Sequence, residues 1–267
     1  MHRMIRLVCI DVDGTLVGSA GAVAAESWAA ADQARARGIR LAICSGRPAF
    51  GVARGYAERL DADGWHIFQN GSSVVHLPGG ETRSRALPAE AIAMLIARAR
   101  ETGRVLELYT DTSYVVESTL PRARQHAALL GLPFAPRALE LLDGTIVRGQ
   151  WVVPHAEVAA VVAEPHGDLT LAGSLSPLMP DTTFVNATAR GVDKGDALRR
   201  VAAEYDLPLQ EVMMVGDSEN DLSAMRVAGV SVAMGNAEPE VAAVAHHRVA
   251  HVDRGGLAEA LALAIAM

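Results

Sequence analysis

The sequence predicts an α/β protein in which a doubly wound, Rossmann-like parallel-sheet core is interrupted by an inserted α+β domain. Three observations predict it. Apolar runs of strand length alternate with amphipathic runs of helix length as far as Gly71, which is the rhythm of βαβ units. Between about residues 86 and 183 the rhythm gives way to paired alternating runs around turns. It returns at Asp193 and continues through the rest of the chain. The expected core is therefore discontinuous, residues 1–85 plus 184–267, with residues 86–183 as the inserted domain. No internal repeat is apparent.

Residues 5–10 read as the first strand, 22–37 as a helix closed by Gly38, and 39–44 as the second strand. Pro48 is expected to open the next helix, where its missing N–H costs nothing. Residues 66–69 read as a third short strand beside the first two. Ser73–Leu77 and Glu81–Arg85 flank Pro78-Gly79-Gly80 and predict a hairpin. In the insertion, a helix from Pro88 to about Thr102 precedes two alternating runs, Val105–Tyr109 and Tyr114–Glu117, around Asp111-Thr112. The returning core reads as helix 193–205, strand 211–215, a helix from about 220, strand 229–233, a short helix after Glu238 and a last helix after Gly255.

Composition narrows the function classes. Half of the 267 residues are hydrophobic, and the net charge is −7. Such a chain has apolar surface enough for a sizeable core and lacks the basic footprint of a nucleic-acid binder. No apolar stretch reaches the roughly 18 residues that span a bilayer, and the N-terminus is too short for a secretory leader before Asp11. A soluble, cytoplasmic protein is expected, with Cys9 and Cys44 as buried thiols in apolar runs. Lys194 is the only lysine among 24 basic residues. A chain that uses arginine everywhere else has a reason for an ammonium there, and a crowded phosphate site is one.

Four constellations carry chemistry. Asp11 and Asp13, in Asp11-Val12-Asp13-Gly14-Thr15-Leu16, leave the end of a buried strand two residues apart, and carboxylates that close call for a proton or a cation between them. Ser45 and Gly46 lie between a strand and a helix start, where a hydroxyl and a backbone N–H suit an anion. Lys194 opens a helix, against the helix dipole. Met213-Met214-Val215-Gly216 leads into Asp217-Ser218-Glu219-Asn220-Asp221, again polar groups at a strand end. Its spacing fails as an EF-hand, with Ala228 at the twelfth position. Each motif alone also fits a plain turn, cap or solvated helix start. Together they should share one edge of a parallel sheet, where ligands bind. His246, His247 and His251 read as scattered histidines rather than a metal cluster, and Met213, Met214, Met225 and Met234 as core filling.

These motifs, with Gln69-Asn70-Gly71, Gly191-Val192-Asp193-Lys194-Gly195 and Val232-Ala233-Met234-Gly235-Asn236-Ala237, resemble the haloacid dehalogenase-like phosphohydrolases and, within them, the Cof-type sugar-phosphate phosphatases. Order and spacing match, and the insertion falls where that family carries an α/β cap. The resemblance implies that Asp11 attacks phosphorus and that Asp13 acts as acid and base. It implies Mg²⁺ held by Asp11, the main-chain carbonyl of Asp13, and Asp217. Ser45, the Gly46 N–H and Lys194, with Asn220 beside them, would hold the phosphoryl oxygens, and Asp221 would stand behind, orienting Lys194 or a metal-bound water. The expected partner is a small phosphorylated metabolite, with neither nucleic acid nor membrane, and the sequence does not decide between monomer and homodimer. The alternatives are a phosphomutase on a similar core and a non-catalytic phospho-acceptor or metabolite-sensing module.

Overall fold

In a computed structural model, which describes residues 4–176 and 178–267, the chain forms three sheets. In chain order the elements begin with β1 (Leu7–Ile10), α1 (Ala25–Ala36), β2 (Arg40–Ile43) and α2 (Val52–Asp61). They continue with β3 (Trp65–Phe68), β4 (Ser73–His76), β5 (Glu81–Thr82), α3 (Ala89–Thr102), β6 (Val105–Tyr109), β7 (Tyr114–Val116) and α4 (Pro121–Leu130). After these come β8 (Arg148–Pro154), α5 (Val158–Ala163), β9 (Leu169–Leu175) and β10 (Thr182–Ala189). The remainder is α6 (Lys194–Glu204), β11 (Val212–Gly216), α7 (Leu222–Val227), β12 (Val230–Ala233), α8 (Pro239–Val244), β13 (His247–Arg248) and α9 (Gly256–Ala266).

The core sheet is parallel throughout, in the order β13-β12-β11-β1-β2. Alternate side chains divide its core into two layers. Val8, Ile10, Leu41, Ile43, Met213 and Val215 pack with Ala31, Ala57 and Leu261 of α1, α2 and α9. Leu7, Cys9, Ala42, Cys44 and Met214 pack with Leu198, Met225 and Val241 of α6, α7 and α8. Both cysteines are buried and free, and burial pushes the Cys9 thiol up to about 12. From β1 the chain goes to β2 on one side, while β11 lies on the other. The crevice between the ends of β1 and β11 is thus the switch point where open α/β sheets bind ligands.

The second sheet is antiparallel, β7-β6-β8-β10-β9. Helices α3 and α5 cover one face through Leu95, Ile96 and Val161 against Leu106, Trp151, Val153 and Val185. Helix α4 covers part of the other, with Ala123 against Val105, Val116, Val152 and Phe184.

Three expectations need correction. The expected domain boundary at 184 falls inside β10, whose pairing with β8 and β9 runs on to Ala189. Helix α2 begins at Val52 rather than at Pro48. Gly51 precedes it at φ +65°, and residues 45–47 are held as loop by bonds from Ser45 N–H to the Ile67 carbonyl and from Gln69 N–H to the Arg47 carbonyl. Finally, β3 is not a full member of the parallel sheet. It touches β2's end through one parallel bridge, Cys44 to Ile67, and otherwise pairs antiparallel with β4, forming with β5 a third sheet.

Candidate active site

Asp11 lies just past β1, with its N–H on the Val215 carbonyl (3.0 Å), which fixes it against β11. Its side chain is buried. The loop then turns sharply at Gly14, φ +87°, where a Cβ would overlap the Asp217 carboxylate. A glycine is required there both by the backbone and by the neighbour. Thr15 Oγ1 donates to Asp217 Oδ1 (2.8 Å), so the loop after β1 also positions the acid after β11. Asp13 leaves in the other direction. Its side chain is 48% exposed and both its oxygens accept from Arg47, at 2.6 and 2.9 Å.

Lys194 is fully buried at the first turn of α6. Its Nζ donates to Asp11 Oδ1 (2.6 Å), Asp221 Oδ1 (2.7 Å) and Asn220 Oδ1 (3.3 Å). Three donors meet three acceptors, the full capacity of an ammonium. Burial works to lower its pKa, but the charges of Asp11 and Asp221 outweigh burial and raise it, so Lys194 is a fixed cation.

Asp221 is equally well anchored. Its Oδ2 accepts from the N–H groups of Asp217 (2.9 Å) and Ser218 (3.1 Å), and a Cβ on Gly216 would collide with it. With Oδ1 on Lys194, Asp221 acts by holding the lysine and the Asp217 loop. Asn236 Nδ2 bonds the Gly14 carbonyl (2.8 Å) and Asp217 Oδ2 (3.3 Å), tying the loop after β12 to the same centre.

The carboxylates of Asp11, Asp217 and Asp221 have oxygens within 4.8 Å of one another. Burial is the main reason that Asp11 is pushed up to about 7 and Asp217 to about 8, with neighbouring carboxylates adding to the rise and Lys194 opposing it. Three acids against one lysine leave two negative charges, which one divalent cation balances. Asp221 already takes the Lys194 ammonium and two backbone N–H groups, so Asp11 and Asp217 are the carboxylates that would hold a cation. The donor set is hard oxygen, as Mg²⁺ prefers.

Across the crevice, Ser45 is buried just beyond β2, with its Oγ accepting from Arg47 N–H (3.1 Å), and Gly46 follows. Asp11, Lys194, Asn220 and Asp221 thus meet directly, Asp217 joins them, and Ser45 and Gly46 border the group through Asn70. The Asn70 amide lies against Gly46 and accepts from Asn220 Nδ2 (3.1 Å). The histidines stay apart. His246 bonds Ser231 and His251 caps its own turn.

Sequence reasoning placed Thr15, Asn70 and Asn236 in motifs without giving them a role, and gave none to Arg47 or Arg148. Arg148 is fully buried on β8, over the Tyr109 ring (4.1 Å), with Nη1 on the Gly46 carbonyl (2.5 Å) and Asn186 Oδ1 (3.1 Å). It joins the second sheet to the Ser45–Gly46 loop. A buried cation facing a strand end was the signal, but among 23 arginines it does not stand out.

Comparison with known proteins agrees with this geometry. A family model of haloacid dehalogenase-like hydrolases matches residues 8–130 and 178–261. "Phosphatase YwpJ" of Bacillus subtilis is 29% identical over 288 residues, covering 93% of this chain and 98% of its own. An "HMP-PP phosphatase" of Yersinia pseudotuberculosis is 25% identical, covering 89% and 86%. A haloacid dehalogenase-like hydrolase from Bacteroides thetaiotaomicron has the same fold, with a TM-score of 0.84, 25% identity and coverage of 97% and 99%. The carboxylates of the β1–β11 crevice and the buried lysine between them sit on that shared fold, and the chain belongs to the haloacid dehalogenase-like hydrolases as a Cof-type phosphatase.

Proposed function

We propose that this phosphatase hydrolyses a small phosphomonoester, a sugar phosphate, through a phosphoryl group carried on Asp11, with Mg²⁺ as cofactor. The observation that carries the reading is Asp11 itself, buried at the switch point with Oδ1 on Lys194 and its carboxylate within 4.8 Å of those of Asp217 and Asp221. The free oxygen of Asp11 attacks phosphorus as the bond to the leaving oxygen breaks. Asp13 protonates that oxygen, and in the second step takes a proton from the water that attacks the aspartyl-phosphate. Arg47 occupies both Asp13 oxygens, so acid–base work by Asp13 requires that pair to part. Lys194, Ser45 and the Gly46 N–H stabilise the phosphoryl oxygens as charge develops on them. Mg²⁺, held by Asp11, Asp217 and the Asp13 carbonyl, would supply charge neutralisation at the phosphoryl group.

The second sheet with its helices serves as the cap, contributing Arg148 from above the Ser45–Gly46 loop. Phosphate release from a panel of sugar phosphates, nucleotides and cofactor phosphates tests the reading. Magnesium-dependent turnover highest on sugar phosphates supports it. An isomerised sugar phosphate in place of inorganic phosphate would instead show a mutase.

A further inference from the structure

Gln69 and Asn70 are consecutive non-glycine residues in the left-handed region, at φ +52° and +54°. Such backbone persists only where its surroundings over-determine it, and it clusters at functional sites. The surroundings do so here. Gln69 Nε2 donates to the Thr110 carbonyl of the second sheet (2.9 Å), Asn70 N–H donates to the Ser45 carbonyl (3.0 Å), and the Gly71 carbonyl accepts from Arg200 Nη2 (2.5 Å). Gly71, at φ +94°, leaves no room for a Cβ, which would overlap the carbonyl of Asp193, one residue before Lys194. The turn therefore fits between the Ser45–Gly46 loop and the start of α6, and it fills its third side with Asn220.

The orientation of the Asn70 amide follows from its neighbours. Lys194 can only donate, so Asn220 turns Oδ1 toward it, and Ser218 Oγ donates to the same oxygen (2.8 Å). Asn220 Nδ2 must then face Asn70, which accepts with Oδ1. Asn70 Nδ2 is left as a donor without a partner among the described residues, on a side chain that is 5% exposed. A buried donor without an acceptor is costly and calls for a missing partner. The amide lies over Gly46. A Cβ there would stand 3.1 Å from Asn70 Oδ1 and 3.4 Å from Nδ2, so Gly46 leaves room for the amide as well as offering its own N–H.

We infer that Asn70 is a phosphoryl-binding residue, its Nδ2 donating to an oxygen of the transferring group beside the Gly46 N–H. This rests on reading the crevice as a phosphoryl site. The acceptor it lacks is then an anionic oxygen, and the chain Lys194–Asn220–Asn70 fixes the amide in a donating orientation before substrate arrives.

The test is binding of inorganic phosphate to the magnesium-loaded protein by calorimetry, with competitive inhibition by phosphate and orthovanadate measured beside it. Asn70→Gly suits the left-handed backbone and removes the amide. Asn70→Asp keeps the shape and the acceptor for Asn220 but puts a carboxylate oxygen where Nδ2 was. Loss of one hydrogen bond to an anion should weaken phosphate by about tenfold in Asn70→Gly, with the unfolding midpoint near wild type, and by more in Asn70→Asp. If Asn70→Gly does not fold, the aspartate variant carries the test alone. Phosphate binding within about twofold of wild type in the folded variants overturns the assignment, being well short of one charge-assisted bond. So does a loss of kcat/KM with phosphate and vanadate affinity intact, which would place Asn70 at the leaving group. If wild type itself binds neither anion, it is the reading of the crevice that fails.

Discussion

Lys194 holds a positive charge with no exposure between two carboxylates, at 2.6 and 2.7 Å. A guanidinium is wider than an ammonium and spreads its charge, so it cannot occupy the same three-acceptor cage. Lys194→Arg is expected to lose at least about tenfold in kcat/KM with folding intact, since misplacement by about 1 Å can cost about 100-fold. An arginine variant equal to wild type would make the single lysine an accident of composition. Asp13→Asn should slow alkyl phosphates more than aryl phosphates, whose leaving groups need less protonation. Equal losses on both would count against an acid at position 13. At this scale the sequence was legible where a residue type was rare or a spacing distinctive. The sole lysine and Asp11 pointed to the cluster in which they meet, whereas Asp13 turns out of it toward Arg47. Arg47 and Asn70 stood in motifs but carried no role, because one is an arginine among many and the other owes its conformation to three distant segments.

His66 shows how a side chain joins elements. It is fully buried on β3, accepting from Ile43 N–H at the end of β2 (3.1 Å) through Nδ1. Nε2 therefore carries the proton and donates to the Asp61 carbonyl at the end of α2 (2.8 Å). Burial lowers its pKa to about 4, with Asp61 pulling upward and His76 adding a little to the fall. The unfolded chain takes up this proton near pH 6.5 and the folded chain only near pH 4. The stability due to neutral His66 is thus complete above about pH 6.5 and declines as the pH falls toward 4, by up to ~3 kcal/mol. Unfolding midpoints measured across that window should drop more steeply for wild type than for His66→Gln, and parallel curves would contradict this.

This bond also explains why β3 was misplaced. A four-residue apolar run announces a strand but not its neighbours, and here a histidine, one bridge and the β4 ladder decide the pairing. The run from β8 to β10 was hard to divide for a similar reason. Thr182–Ala189 pairs with strands on both sides, and nothing in the sequence marks Phe184 as mid-strand. Core strands β1, β2, β11 and β12 were legible because both faces are buried and their runs are almost wholly apolar, broken only by Arg40 at the start of β2 and Ser231 in β12.

Across the whole molecule, the parallel sheet brings the ends of β1, β2 and β11 to one edge, and the second sheet meets that edge through Arg148 and Thr110. Arg148 has no carboxylate within ion-pair distance among the described residues, so its role is this contact between sheets. Arg148→Met keeps the stem and removes the charge-assisted bond. It should raise KM for sugar phosphates by about tenfold, the value of one such bond, while small aryl phosphates that need little of the cap change less. Equal effects on both classes would assign Arg148 to the chemistry instead. The change of rhythm announced the second, antiparallel sheet, whereas the contact that joins it to the parallel sheet was not legible, because it links residues a hundred positions apart.

The central claim is that the phosphoryl group passes through Asp11. Asp13→Asn with an aryl phosphate tests it most directly, because the first step then needs little acid help while the second lacks its base. Acid quench followed by peptide mass spectrometry should find one added phosphoryl group on the peptide bearing Asp11, appearing with a burst of the aryl alcohol. Burst-free turnover with that peptide unmodified would contradict the account.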